Sequence, residues 1–416
     1  MKKLIFIIIF ILGIVFAIEE YPDVVVKVNT TGAPFLLISP SPTMNGFGGS
    51  GVSMISNDVY SVHYNPALPQ LQSGFCFTSS NTSTYLYPNL ADDILLESNV
   101  KQIGYNGYSY KNLKLQFALT WYKTDLDFAF GTYANSMKAD ATSFALGIQF
   151  KDRPIYLSLG RTNKTAIQYF GQGAGSEHSN VYSKDKFYDW GFRFLINNYP
   201  LFDDNKIGLT FALGYSKSNI GDFISFQDES QGDPAPMTAR LGLTWGANFL
   251  IFDKWDIKLK FINEATDLLV ETLVDSLLIN GEIQYEYERV YQKGLFGDIN
   301  ISDHILSGDT GVAQVNIHRG FEVSLFNICY FRQGSKIDWS GIDIETVGFG
   351  VNISNLFRVL PLFREENFSL INNVLNYVDI QFNSSRWGGE QGFPWANTTY
   401  DEYTIILKNI DKLIWD

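Results

Sequence analysis

Two cysteines in 416 residues, Cys76 and Cys329, are too few for a disulfide framework or a cysteine zinc site. Whether these two pair is left open by the sequence. Charge is scarce too: Asp, Glu, Lys and Arg are 18% of the chain, against roughly 25% in an ordinary soluble domain. The scarcer sign is positive, 31 Lys and Arg against 44 Asp and Glu. The resulting net charge of −13 excludes a broad phosphate-neutralising face, so no nucleic acid is expected as a partner. His63, His178, His304 and His318 show no His-Glu-x-x-His or other ligand spacing, and no pattern calls for a metal or cofactor. Past the N-terminus no stretch reaches the ~18 uncharged apolar residues of a helical membrane span.

What the chain has in abundance is aromatic side chains, 33 Phe and 23 Tyr, together with 35 Gly. That composition excludes disorder for most of its length. At the N-terminus Lys2 and Lys3 precede an apolar run, Leu4 to Phe16, and Ala17 leads into Glu19 and Glu20. Residues 1–17 therefore read as a secretory signal peptide cleaved after Ala17. The alternative is an uncleaved anchor, but the run falls short of a span of about 20 residues.

Most of the remaining chain has a period of two. Leu113, Leu115, Phe117, Leu119 and Trp121 alternate with Lys114, Gln116, Ala118 and Thr120. The same holds for Phe144–Phe150, Ile207–Tyr215 and Val347–Ile353, and for shorter runs such as Ile155–Leu159, Trp190–Ile196 and Val378–Phe382. One face of each run is Phe, Leu, Trp and Tyr; the other is Gly, Ala, Thr, Ser and Gln. A soluble sandwich would carry charge on its second face, so the expectation is an all-β, antiparallel transmembrane β-barrel of about 14 strands. It spans residues 72–416 and sits among the lipid of the outer membrane of a Gram-negative-type bacterium. Charge is expected in connections, at Asp203-Asp204, Asp228-Glu229, Glu365-Glu366 and Asp401-Glu402. Lys123-Thr124 and Asp152-Arg153-Pro154 read as short turns. Thr162–Lys186, Lys217–Pro236, Asp267–Arg319 and Ser384–Glu402 read as long loops, the third with an extra hairpin at Ile283–Tyr291 or a small helix. Helical period is visible only around Asp92–Glu97 and Asp267–Ile279.

Before the barrel lies a segment rich in turn formers. Ser39-Pro40-Ser41-Pro42-Thr43-Met44-Asn45-Gly46-Phe47-Gly48-Gly49-Ser50-Gly51-Val52 is followed by Asn57-Asp58 and then by Asn65-Pro66-Ala67. Gly46, Gly48, Gly49 and Gly51 suit close backbone approach, and Pro66 forces an extended or turned geometry at Asn65. The run also spells G-x-G-x-x-G, but prolines precede it and no helix follows, so it is not a dinucleotide loop. This opening resembles that of PorV-type outer-membrane proteins, which lie within the FadL-like transporter superfamily. The resemblance continues in Pro236–Leu243, in Gly320-Phe321-Glu322 leading to Tyr330–Gly334, and in Gly348–Val351.

The resemblance implies that residues 18–71 fold inside the barrel as a hatch, with Gly46, Gly48, Gly49, Gly51, Asn65, Pro66 and Ala67 as its motif. It also implies a non-enzymatic part in protein secretion of the type IX kind, with secretion-system proteins and cargo proteins as partners. Candidate loop contacts for such partners are Tyr169, Phe170, Phe223, Phe226, Phe393 and Trp395. The alternative is a FadL-like channel for hydrophobic small molecules such as long-chain fatty acids, held as a ligand in the lumen. Because the inward faces read as Gly, Ala, Thr and Gln without an apolar stripe, the sequence favours the first over the second. No nucleophile–base constellation supports an enzyme.

Overall fold

The computed structural model describes residues 31–55, 58–68, 74–90, 93–110, 112–130, 133–150, 153–172, 180–202, 206–225, 232–251, 255–279, 282–308, 315–338, 342–359, 374–389 and 393–411. The signal-peptide reading, Phe226 and the acidic pairs at 203–204, 228–229 and 365–366 lie outside the described residues. Strands β1 (Gly74–Tyr85), β2 (Leu95–Tyr110), β3 (Leu113–Phe130), β4 (Tyr133–Phe150), β5 (Ile155–Gln172) and β6 (Asn180–Pro200) follow one another as hairpins. So do β7 (Ile207–Ile220), β8 (Thr238–Ile251) and β9 (Trp255–Leu268). After β10 (Val270–Ile279) and β11 (Glu282–Tyr291) come β12 (Val315–Leu325), β13 (Cys329–Ile337), β14 (Asp343–Asn352), β15 (Val378–Trp387) and β16 (Thr399–Leu407). Fourteen of these close into one antiparallel barrel: β9 pairs β12, and β16 returns to β1. β10 and β11 make a two-stranded sheet in a compact unit of its own.

Alternation decides which side chains face which solvent. On β3 the even positions Gln116, Ala118, Thr120, Tyr122 and Leu126 are buried, while Trp121 is exposed on the other face. Phe144, Leu146, Leu157, Leu159, Phe331, Val347 and Ile405 are likewise exposed on the outside. Large apolar side chains held outward around a closed barrel, over buried Gly, Ala, Ser and Thr, make this a transmembrane barrel of the bacterial outer-membrane kind. No helix of the described residues is long and apolar enough to cross a membrane. Strands of about 9–11 residues suffice to cross. β3, β4 and β5 have 18 residues each and β6 has 21, so this part of the wall stands beyond the bilayer.

Successive connections alternate between the two ends. The stretches between β2 and β3, β4 and β5, β8 and β9, and β12 and β13 are short and share one end, which the start of β1 and the end of β16 also occupy. The stretches between β7 and β8, β9 and β12, and β15 and β16 are longer and share the other; the connection from β14 to β15, residues 353–377, is the one long stretch at the first end. The end with most of the long loops is the external side.

Several expected boundaries move. Lys123-Thr124 is no turn but the middle of β3, and residues 162–172 and 180–186 belong to β5 and β6, leaving a connection of 173–179. Tyr169 and Phe170 are therefore wall residues. Asp401-Glu402 lies within β16, not in a loop. Leu95–Glu97 opens β2, and 270–279 is β10, so neither expected helix forms. β-branched and aromatic residues favour the extended backbone of 162–172, and Leu95–Glu97 is held extended by its pairing with β1 and β3. In the 267–319 stretch, 283–291 is not a hairpin by itself but the single strand β11, which pairs with β10, and a helical turn follows at Ile301–Ser307.

That helical turn and the residues before it lie on the outside of the barrel. Tyr215 Oη donates to the Leu295 carbonyl, and Asn263 Nδ2 donates to the Ile305 carbonyl at 3.0 Å. Arg319 donates to the Ser307 carbonyl at 2.7 Å, and the Asp298 N–H donates to Asp267 at 2.7 Å. Ile299 and Ile305 thereby cover the outward side chains Ala239, Leu241, Ala265 and Val315. Cys76, buried on β1, is not joined to Cys329 at the start of β13.

Candidate functional site

The lumen is filled by the chain's own opening segment. A 3-10 turn, Pro34–Leu37, is followed by a single helical turn, α1 (Pro42–Asn45). Pro42 stands at its first position, where a missing N–H costs nothing, and Ser41 caps it by accepting from the Met44 N–H at 2.9 Å. A second 3-10 turn, Val59–His63, is capped by Asp58, which accepts from the Tyr60 N–H at 2.8 Å. Gly48 and Gly49 sit at φ +72° and +77°, a region that favours glycine. Asn65 folds over the last bend: its Oδ1 accepts from the Ala67 N–H at 2.9 Å and its Nδ2 donates to the Val52 carbonyl at 2.7 Å. Met44, Phe47, Val52, Met54, Tyr60, Tyr64, Asn65 and Ala67 are all buried.

The wall receives this backbone through inward glycines. A Cβ at Gly214 would fall onto the Val52 carbonyl, and one at Gly160 onto the Pro66 carbonyl. One at Gly191 would strike Asn65, and one at Gly334 would strike Phe47 and Gly48. Several of these glycines pair across neighbouring strands: Gly160 with Gly191, Gly214 with Gly242, and Gly320 with Gly334. Each pair opens a shallow trough in which a foreign backbone replaces two missing side chains. Substitutions on inward faces are thus not uniformly mild. A Cβ at Gly208 would strike Asn198 Oδ1, and Ala212 is completely buried, so a larger polar side chain has no room at either position.

Polar groups hold the segment at each bend. Glu264 Oε2 accepts from the Gly51 and Val52 N–H groups at 2.6 and 2.8 Å, while its Oε1 pairs with Arg240 at 2.9 Å. Arg240 in turn lies 4.7 Å from the centre of the Tyr64 ring. Thr346 accepts from the Gly48 N–H at 2.9 Å, and the Gly48 carbonyl lies 2.7 Å from His318 Nδ1. Ser216 donates to the Tyr64 carbonyl at 2.6 Å, Tyr60 Oη to the Ser98 carbonyl at 2.7 Å, and Lys260 to the Ile55 carbonyl at 3.2 Å. Lys260 and Arg332 both bind Glu322 at 2.8 Å. Burial pushes the Asp58 carboxyl above its ordinary range, while the hydroxyl of Ser41 and the N–H of Tyr60 act the other way.

Two unlike compartments flank the segment. Towards the short-turn end lies a polar cavity of about 380 Å³, lined by Asp58, Lys258, Asn198, Asn248, Tyr330 and Asn383 among others. Towards the long-loop end the lumen is apolar. Phe35 and Leu36 pack there against Leu96, Leu126, Met137, Phe187, Ile224 and Tyr400, with Phe128 and Phe170 beside them. The sequence reading of inward faces without an apolar stripe is corrected by this cluster. The wall residues just named come from seven separate strands and loops, one or two from each, so no single strand displays the stripe.

The residues singled out from the sequence divide accordingly. Gly46, Gly48, Gly49, Gly51, Asn65, Pro66 and Ala67 come together in the lumen. Phe170 faces the apolar cluster and Tyr169 is its neighbour on β5. Phe223 packs on Tyr291, and Phe393 stacks on Trp395 with ring centres 5.0 Å apart. Glu264, Arg240 and the wall glycines were missed. Their signal was a glycine or lone charge recurring on the small-residue face of an alternating strand. Among the described residues no group of three or more His, Cys, Asp or Glu is placed to hold a metal.

Valine at Gly214 tests the fit. Overpacking against rigid backbone costs about 1–3 kcal/mol. The expected result is a barrel that still shifts on heating in gel electrophoresis but whose opening segment becomes cleavable by added protease. A segment as protected as in the parent would refute the contact.

No family model matches the chain, and no curated protein matches it. Solved structures similar to it include the toluene transporter TbuX of Ralstonia pickettii, with a TM-score of 0.43, 10% identity, and coverage of 88% of this chain and 96% of that one. The Pseudomonas putida toluene transporter TodX is similar at a TM-score of 0.39 and 11% identity, covering 87% and 95%. A Pseudomonas aeruginosa FadL homologue is similar at 0.39 and 10%, covering 87% and 97%.

Proposed function

We propose that this protein is an outer-membrane channel for small hydrophobic molecules, closed at rest by a hatch formed by the residues that precede β1. The observation that carries this reading is the apolar chamber at the loop end of the lumen and what occupies it. A ligand site needs a concave, mostly apolar lining with a few polar anchors. Leu96, Leu126, Met137 and Phe187 supply the lining, and Phe35 and Leu36 fill it as a ligand of comparable size would. The hatch thus competes with a hydrophobic solute for one surface. Displacing residues 33–38 frees the chamber, and the bonds from Glu264, Thr346 and Ser216 hold the rest until the solute arrives.

The secretion reading asks for loop aromatics free to grip a protein. Phe170 is engaged with the lumen cluster and is withdrawn from an external partner, whereas Phe223, 40% exposed, touches Tyr291 and Phe393 stacks on Trp395. The channel reading makes no such demand.

The test is a double substitution, Phe35→Ala with Leu36→Ala. Removing the internal competitor is expected to tighten binding of a fluorescent apolar probe to the purified protein several-fold. Leu126→Asn in the chamber wall is expected to weaken it by at least as much, since an unpaired buried amide costs roughly 1–3 kcal/mol. If neither change moves probe binding, the chamber is only packing and the channel reading fails.

A further inference from the structure

The outer face of β2 to β6 carries a pattern that a channel has no need of. Along each strand from the short-turn end, outward side chains are apolar and then change abruptly. On β3 Phe117, Leu119 and Trp121 give way to Lys123. On β5 Leu157 and Leu159 give way to Arg161, on β6 Trp190 and Tyr188 to Lys186, and on β2 Tyr105 and Ile103 to Lys101. β4 differs, passing from Phe144 through Thr142 to Asp140. Four of the five strands therefore place a cation where the bilayer ends, in a chain whose net charge is −13.

These cations are neighbours. Lys101, Lys123, Arg161 and Lys186 line one groove of about 850 Å³ on the wall, with Trp121 and Tyr188 between them. The guanidinium of Arg161 lies 5.0 Å from the centre of the Tyr188 ring, which holds its fork in place. Three carboxylates act on Lys123: Asp140 within the groove, Asp125 at 3.0 Å, and Asp127 further along β3. Lys164 belongs to the inward face of β5, where it is bound to Asp189 at 2.8 Å, and adds no charge to the groove. An excess of positive charge remains, in a concave surface with an apolar floor below and an aromatic rim at the interface.

We propose that this groove binds a phosphorylated glycolipid of the outer leaflet. Its acyl chains lie on the outward Leu and Phe residues, its sugar on Trp121 and Tyr188, and its phosphate among Arg161, Lys186, Lys123 and Lys101. Arginine's planar fork suits a phosphate, and aromatic rings favour the headgroup level of a bilayer. The long-loop end fixes the leaflet as the external one. The inference rests on the outer wall and is independent of what passes through the lumen.

The experiment uses the full-length barrel in detergent and follows the binding of bisphosphorylated lipid A by native mass spectrometry. The variant is Lys101→Gln, Lys123→Gln, Arg161→Gln and Lys186→Gln together, with Arg161→Gln and Lys186→Gln alone as a milder pair. Arg386→Gln, an exposed cation on β15, is the control. The expected result is a loss of affinity of at least about tenfold for the quadruple variant and a smaller loss for the pair. The control should match the parent, and lipid A stripped of phosphate should bind the parent as weakly as the variant. Equal binding by parent and milder pair would overturn the proposal, as would indifference to removal of the phosphates. Displacement of the lipid by millimolar inorganic phosphate would also overturn it, by assigning the groove to the free anion.

Discussion

Glu264→Ala is expected to make a closed barrel leak. The carboxylate is fully buried in the lumen and serves three partners: the N–H groups of Gly51 and Val52, and Arg240. Its removal strands two backbone donors and a nearly buried guanidinium. Breaking a buried pair in this way costs about 3–5 kcal/mol. At 1.4 kcal/mol per factor of ten, even the lower figure raises the population of undocked segment by roughly a hundredfold. The measurement is ion conductance in planar bilayers, accompanied by a gel shift on heating to show that the barrel has formed. Glu264→Gln keeps an acceptor and should fall between the two. A folded Glu264→Ala barrel with the conductance of the parent would show that these bonds do not hold the segment.

Arginine at Leu159 should impair insertion, whereas arginine at Asn163 should be nearly neutral. Both residues face outward on β5, four positions apart. Leu159 is 60% exposed within the apolar belt, and Asn163 lies beyond the first charged residue, Arg161. Arginine near the bilayer midplane costs roughly 2–4 kcal/mol and near the interface about 0–1. Denaturant titration of the two variants folded into liposomes reads the difference. Equal stabilities would mean that the apolar-to-charged boundary is not the edge of the bilayer.

The strand-forming part of the fold was legible because alternation is a local property. Leu113–Trp121 announces a two-faced strand, and the lack of charge on its small-residue face announces a barrel. Strand ends were not legible where a strand outgrows the membrane. Lys123, Thr124 and Asp125 look like a turn because they are polar, yet they continue β3 into water with their hydrogen bonds unbroken. The opening segment was legible as glycine and proline punctuation. Its anchors were not, since Glu264 lies more than two hundred residues from Gly51 and only barrel closure brings them within 2.6 Å. The apolar chamber escaped for a similar reason. Leu96, Leu126, Met137 and Phe187 stand on four different strands, and they add up only when the strands stand side by side.

The seam between the first and last strands is the most distant pairing of the barrel in sequence. β1 and β16 pair over seven residues, Phe77–Ser83 against Asp401–Leu407, where β1 and β2 pair over twelve. Residues ahead of β1 touch Gly160 and Gly191 on one side and Gly320, Gly334 and Gly348 on another. Closing the seam joins residues more than three hundred positions apart in sequence, Phe77 against Leu407 among them. Pairing at such separation is intrinsically slow. The wall that receives the opening segment is therefore complete only when the two most distant strands of the barrel meet.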